Sequence, residues 1–137
     1  MKTILSVDDD PWVLETLKDA LAAKGYEVFT ALSATEAETS LAQRKVDLIL
    51  LDLGMPGKNG FTLFRELEAL QQVPVLFVSA CSRSFAANSE QFVDLWTNEF
   101  LRGTTDILYK PFTLDTLYEK VESLIGDNQV TAHEPSA

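Results

Sequence analysis

Val46-Asp47-Leu48-Ile49-Leu50-Leu51-Asp52-Leu53 decides the fold of this chain. Apart from Asp47, the run from Val46 to Leu51 is apolar and shows no polar alternation that would mark a wet face. A strand of this kind is buried on both sides, the condition of a parallel sheet with helices over each face. Asp52 ends the run, and a loop rich in Pro, Gly and Asn follows from Met55 to Gly60.

Outward from that strand the same pattern recurs. Thr3 to Val7, Tyr26 to Ala31, Pro74 to Ala80 and Asp106 to Tyr109 read as the first, second, fourth and fifth strands. Helical spacing lies between them. Val13, Leu14, Leu17 and Leu21 follow Pro11, which suits a first helical turn, and Gly25 stops that helix. Ser33-Ala34-Thr35-Glu36 is a capping box that opens a helix through Ala37 and Leu41. Phe61, Phe64, Leu67 and Leu70 mark a third helix. Thr113 caps a last one carrying Leu114, Leu117, Val121 and Leu124, with Gly126 at its end. Residues 81–105 are the least regular. Phe92, Val93, Trp96 and Phe100 keep helical spacing behind Asn88 or Ser89 as a cap, and Ser82 to Asn88 reads as a loop or an extra turn. Strands alternating with helices through right-handed crossovers make a doubly wound α/β domain over residues 1–126, with five parallel strands and five helices. Residues 127–137 read as a polar, frayed tail.

Composition narrows the function classes. The 137 residues fit one domain with a core that needs no disulfide. The formal net charge of -10 argues against nucleic acid as a direct ligand, because a phosphate backbone rewards clustered Lys and Arg. Cys81 is the single cysteine and cannot form an internal disulfide, which makes the cytoplasm the expected location. No leader pattern and no membrane-spanning apolar run is present in the sequence, so no membrane partner is expected.

The polar residues at the strand ends carry the chemistry. Asp8-Asp9-Asp10 closes the first strand, Asp52 the third and Ser79 the fourth, and Lys110-Pro111 follows the fifth. In an open parallel sheet those carboxyl ends share one edge, where ligands bind. Each residue has a plainer reading taken alone: a solvated turn for the acidic run, a strand-ending turn for Asp52, a structural hydroxyl for Ser79. Asp10 keeps the plainer role, as the cap of the helix beginning at Pro11. Together, Asp8, Asp9 and Asp52 cannot all stay ionised at close range without a cation, and Mg2+ suits one or two carboxylates with waters and phosphate oxygens. Lys110 offers a fixed positive charge to an anion, and Ser79 a hydroxyl donor. The set describes phosphoryl transfer onto a carboxylate, with Asp52 as nucleophile and charge stabilisation as the main catalytic effect.

On Val7-Asp8-Asp9-Asp10, Leu51-Asp52-Leu53-Gly54-Met55-Pro56 with Gly60, Val78-Ser79-Ala80 and Lys110-Pro111-Phe112, the chain resembles a response-regulator receiver domain of two-component signalling from Lys2 to Gly126. The resemblance implies a flavodoxin-like sheet of order 2-1-3-4-5. It makes Asp52 the phosphoacceptor, and Asp8 and Asp9 the acidic pair for Mg2+, Asp9 directly and Asp8 through water. The Gly54 carbonyl becomes a third protein ligand. Ser79 turns toward the phosphoryl group, Lys110 pairs with it, and the Lys110-Pro111 bond is cis. The donor is then a histidine kinase or a histidine phosphotransfer protein. The domain is not an enzyme beyond its own phosphorylation and dephosphorylation.

Departures from the family pattern shape further expectations. Ile107 stands where receivers carry an aromatic switch residue, and Tyr109 falls on the same strand face as Ile107, next to the lysine. Ser79 and Lys110 are roughly 30 residues apart where receivers use about 20. The excess falls around the fourth helix, so the downstream protein is expected to meet the segment from Phe85 to Phe100. Gly54 and Cys81 offer no acid or amide to position a hydrolytic water, which points to slow loss of the phosphoryl group. Among competing functions, an aspartyl-phosphate hydrolase wants a second Asp two residues after the nucleophile, where Gly54 stands. A phosphorylation-independent binding module typically loses an acidic residue or the lysine, and this chain keeps them all. A nucleotide-binding protein lacks its Gly-rich loop after the first strand, and Asp8-Asp9-Asp10-Pro11 lacks the glycine and spacing of a calcium loop.

Overall fold

Five short parallel strands form a single sheet in the order β2-β1-β3-β4-β5, the order the resemblance implies. They are β1 (Thr3–Val7), β2 (Glu27–Ala31), β3 (Leu48–Asp52), β4 (Val75–Ser79) and β5 (Thr105–Tyr109). This computed structural model describes residues 1–54, 60–79 and 105–126, with side chains of the third helix from Thr62 onward. Four helices lie within them: α1 (Pro11–Ala22), α2 (Ala34–Gln43), α3 (Gly60–Leu70) and α4 (Leu114–Ile125). The helix expected at Phe92 to Phe100, the loop at 55–59 and the tail at 127–137 fall outside the described residues.

Alternation along the strands divides the core in two. Ile4, Leu48, Leu50, Leu76, Val78 and Leu108 face Leu17 and Leu21 of α1 and Leu117 and Val121 of α4. Leu5, Val7, Ile49, Leu51, Phe77 and Ile107 face Ala37 and Leu41 of α2 and Leu63, Phe64 and Leu67 of α3. Every residue of β3 and β4 is buried, as the apolar run at 46–53 requires.

Caps set the helix starts. Asp10 accepts from the Trp12 N–H, Ser33 from the Glu36 N–H and Thr113 from the Thr116 N–H. The Glu36 carboxylate reaches back to the Leu32 N–H at 2.8 Å, one residue before the expected cap position. Gly25 and Gly126, at φ +92° and +82°, follow the first and last helices in the left-handed region that glycine tolerates best.

Several strand limits differ from those expected: β3 ends at Asp52 rather than Leu53, β5 begins at Thr105 rather than Asp106, and three starts have a visible cause. β3 begins at Leu48 because the Asp47 carboxylate, at 2.7 Å, takes the Thr3 N–H that a backbone carbonyl would otherwise hold. β2 begins at Glu27 because the Tyr26 N–H stays with the Leu21 carbonyl in the turn that ends α1. β4 begins at Val75, since Pro74 has no N–H to give.

Gln71 ties the two helices of one layer together. Its amide donates to the carbonyls of Leu41 at 3.0 Å and Arg44 at 2.7 Å, and its oxygen accepts the Val46 N–H at 3.1 Å. The end of α2 and the entry to β3 are thus satisfied by one side chain from beyond α3. Gln71→Ala leaves three partly buried backbone groups without that partner. We expect it to cost about 2 kcal/mol, seen as a lower urea midpoint at unchanged slope.

Candidate functional site

The carboxyl edge of the sheet gathers the polar residues read from the sequence. β1 delivers Asp8, whose N–H continues the ladder to the Ala31 carbonyl of β2 at 3.1 Å. The Asp8 Oδ1 then accepts the Asp10 N–H at 2.9 Å, and the Asp10 Oδ1 accepts the Trp12 N–H at 2.9 Å. One relay of carboxylates and amides therefore orients Asp8 and caps α1. Only the second of these tasks is legible in the sequence around Asp10.

β3 delivers Asp52, and the chain turns at once so that the Gly54 N–H meets the Asp52 Oδ1 at 3.2 Å. A Cβ on Gly54 would lie 3.7 and 3.9 Å from the two carboxylate oxygens, in ordinary van der Waals contact. Glycine keeps that side of the carboxylate open. Ser79 ends β4 with 1% exposure, and its carbonyl accepts the Lys110 N–H at 2.7 Å. That bond sets the start of the Lys110 side chain, and the following Lys110-Pro111 peptide is cis as the resemblance implies.

Lys110 stands between the carboxylates. Its Nζ lies 3.5 Å from the Asp8 Oδ2 and 3.7 Å from the Asp52 Oδ1. Oxygens of Asp8, Asp9 and Asp52 lie within 4.8 Å of one another. Asp8 and Asp52 are 2% and 6% exposed, while Asp9 faces solvent. Burial holds the Asp8 carboxyl above its ordinary value of 3.8. The Asp52 charge pushes in the same direction, and the Asp10 N–H and the Lys110 ammonium offset part of the rise. Three hard oxygen donors around a half-buried approach fit a small divalent ion such as Mg2+.

The structure brings Asp8, Asp9, Asp52, Gly54, Ser79 and Lys110 to one edge. Ile107 is 5% exposed and packed in the core beside α2 and α3. Tyr109 is partly buried against the same cluster, on the expected face, and pairs in register with Ser79.

A raised Asp8 pKa has a sign that can be measured. Ionised Asp8 costs the folded state free energy; the cost is absent below 3.8 and complete once the pH exceeds the raised folded value. Without divalent ions at neutral pH, Asp8→Asn should therefore raise stability by about 1 kcal/mol. That advantage should shrink as the pH falls toward 4. Thermal melts of both proteins across this range, with and without Mg2+, read it directly, and Mg2+ should stabilise the unaltered protein more than the variant.

A profile for the response regulator receiver domain matches residues 4–122. The transcriptional regulatory protein CrdR of Helicobacter pylori is 31% identical over 131 residues, covering 94% of this chain and 57% of its own length. The transcriptional regulatory protein PrrA of Mycobacterium bovis is 35% identical over 134 residues, covering 97% of this chain and 54% of its own. The chain thus spans about half the length of the curated relatives it matches. Those relatives are named as transcriptional regulators, so the expectation of no direct nucleic-acid ligand finds no support in them. Among solved structures, the response regulator TrrA of Thermotoga maritima, in complex with Mg2+ and BeF, superposes with a TM-score of 0.73 at 30% identity, over 90% of this chain and 99% of that one. The HemR receiver domain of Leptospira biflexa gives 0.74 at 31% identity, over 91% and 94%. No helix among the described residues is long and apolar enough to cross a membrane. With the strand order, the acidic edge and these matches in agreement, the chain belongs to the response regulator receiver domains of two-component systems.

Proposed function

We propose that Asp52 accepts a phosphoryl group from the phosphohistidine of a histidine kinase or histidine phosphotransfer protein, and that the modified edge switches binding of a downstream protein. The observation that carries this reading is the placement of Lys110 Nζ within 3.5 and 3.7 Å of Asp8 and Asp52. A carboxylate oxygen of Asp52 bonds to phosphorus as the donor P–N bond breaks, and the imidazole leaves with the electron pair. Lys110 then has a phosphoryl oxygen to pair with, and the Ser79 hydroxyl is a donor for another. Asp8, Asp9, Asp52 and the Gly54 carbonyl would hold Mg2+. When bound, the ion neutralises carboxylate and phosphoryl charge. The relay from Asp8 through Asp10 to α1 keeps this edge in place during transfer. The switch is a signalling device, with catalysis limited to its own phosphorylation and its loss. A donor of this kind and the lone Cys81 suit the cytoplasm. The downstream surface we assign to the segment from Phe85 to Phe100, on the strength of its extra length and aromatic content.

Incubation with acetyl phosphate should add one phosphoryl group to the intact mass only when Mg2+ is present, and none to Asp52→Asn. Lys110→Ala should slow labelling at least about tenfold. A folded, Mg2+-binding sample that never gains mass would favour a phosphorylation-independent binding module. Because Gly54 places no acid or amide beside Asp52, the phosphorylated form should persist for minutes or longer. Decay within seconds, followed by mass after removal of the donor, would refute that expectation.

A further inference from the structure

Away from the acidic edge, a groove of about 300 Å3 runs between α2 and the outer edge of β2, the last strand on that side of the sheet. Every side chain that lines it is polar. Arg44 closes one end and Glu36 the other, and the hydroxyls of Thr35, Thr39 and Ser40 stand along the helix between them. The Arg44 guanidinium is held in place. It lies over the Phe29 ring, 4.0 Å from the centroid, and its Nη1 donates to the Ser40 Oγ at 2.8 Å. Ser40 is itself 7% exposed. Among the described residues no carboxylate pairs with Arg44. Its remaining N–H groups form a planar fork that suits two oxygens of one anion. Glu36 keeps Oε1 on the Leu32 N–H at 2.8 Å and has a second oxygen with which to accept a hydroxyl. The ladder to β1 uses the Glu27 N–H and the Ala31 carbonyl, so alternation turns the Thr30 N–H and carbonyl to the open edge beside the groove. Packing of Arg44 on Phe29 requires none of these other groups.

We propose that this groove binds a small polyhydroxylated oxyanion, a sugar phosphate or a sugar acid, with Arg44 taking the anionic group. The inference is independent of the phosphoacceptor role of Asp52. Glu36 and Arg44 are separated by about 12 Å along the axis of α2. A hexose carrying its anion on a terminal carbon suits that span. The anion meets the Arg44 fork and the Gln43 amide at one end of the groove. Sugar hydroxyls, each both donor and acceptor, meet Thr35, Thr39, the second Glu36 oxygen and the Thr30 backbone. The Gln71 amide already takes the carbonyls of Leu41 and Arg44, which lessens the repulsion an anion meets at a helix C-terminus. Glu36 at the far end disfavours a ligand that is anionic at both ends. An apolar ligand finds no apolar wall, and a nucleic acid strand needs a row of cations where this groove has one.

The test follows the backbone amide resonances of the full chain, without divalent ions, as glucose 6-phosphate, gluconate, glucose or inorganic phosphate is added. At least one of the two sugar anions should saturate with a Kd below about 5 mM, shifting the amides of Thr30 and of residues 35–44. The tighter of the two tells whether the fork takes a phosphate or a carboxylate. Glucose and inorganic phosphate should each bind at least about tenfold more weakly than that anion. Arg44→Lys keeps the charge and loses the fork, and should weaken binding at least about tenfold. Because Arg44 also packs on Phe29, Thr39→Val at an exposed position gives a second reading that leaves the fold alone. It should weaken binding at least about threefold. A Kd above about 5 mM for both sugar anions overturns the proposal. Inorganic phosphate binding as well as either of them overturns the sugar and leaves a general anion site. Shifts centred on Asp8, Asp9 and Asp52 place the ligand at the acidic edge and overturn the groove. Undiminished binding by Arg44→Lys removes the anion from Arg44, and undiminished binding by Thr39→Val removes the sugar from the hydroxyls; either result sinks the assignment.

Discussion

Two buried carboxylates sharing one ammonium is the constraint on which the rest depends. Asp8 and Asp52 are almost wholly out of water, and Lys110 stands within 4 Å of both. One positive charge cannot balance two negative ones, and Asp9 adds a third at the rim. Burial and mutual repulsion therefore leave Asp8 harder to ionise than a free carboxyl. A fold selected for stability alone would not keep this arrangement. Surplus negative charge of this kind is what a hard cation would offset, and natural folds break their own packing rules at functional sites.

The supports around the site are mostly backbone. Asp8 and Asp10 accept successive amides as the chain turns into α1, and Gly54 returns its N–H to Asp52. The Ser79 carbonyl fixes the Lys110 backbone. Strand ends are held by their neighbours in the ladder, so side chains placed there inherit the precision of the sheet. That explains how residues so far apart in the chain meet without a dedicated loop to carry them.

Much of this was legible in the sequence because each signal had a local cause. The apolar run at 46–53 could be buried only on two faces, and Asp10, Ser33 and Thr113 cap helices as their short polar side chains suggest. The convergence of Asp8, Asp52, Ser79 and Lys110 follows from the strands being parallel. Contacts between distant side chains and backbone were not legible. Nothing near Gln71 marks it as the partner of Leu41, Arg44 and Val46, and nothing near Asp47 shows that its carboxylate will replace a ladder carbonyl for Thr3. The exposure of Trp12 was equally silent, because its spacing relative to Val13 and Leu14 leaves it on the helix margin, where either burial or solvent was open to it.

The separation between the site's two ends has a consequence for how the molecule comes into being. Asp8 and Lys110 touch across 102 residues of chain, and the Tyr26 hydroxyl closes on the Gly126 carbonyl across 100. Such contacts form only after the loop entropy of nearly the whole domain has been overcome. No fragment lacking β5 and α4 can own the site, even though it carries every carboxylate. The acidic edge thus gains its lysine only when the sheet closes. On the proposed function, a nascent or locally unravelled chain would be silent toward its donor, and the signal would be confined to molecules that have finished folding.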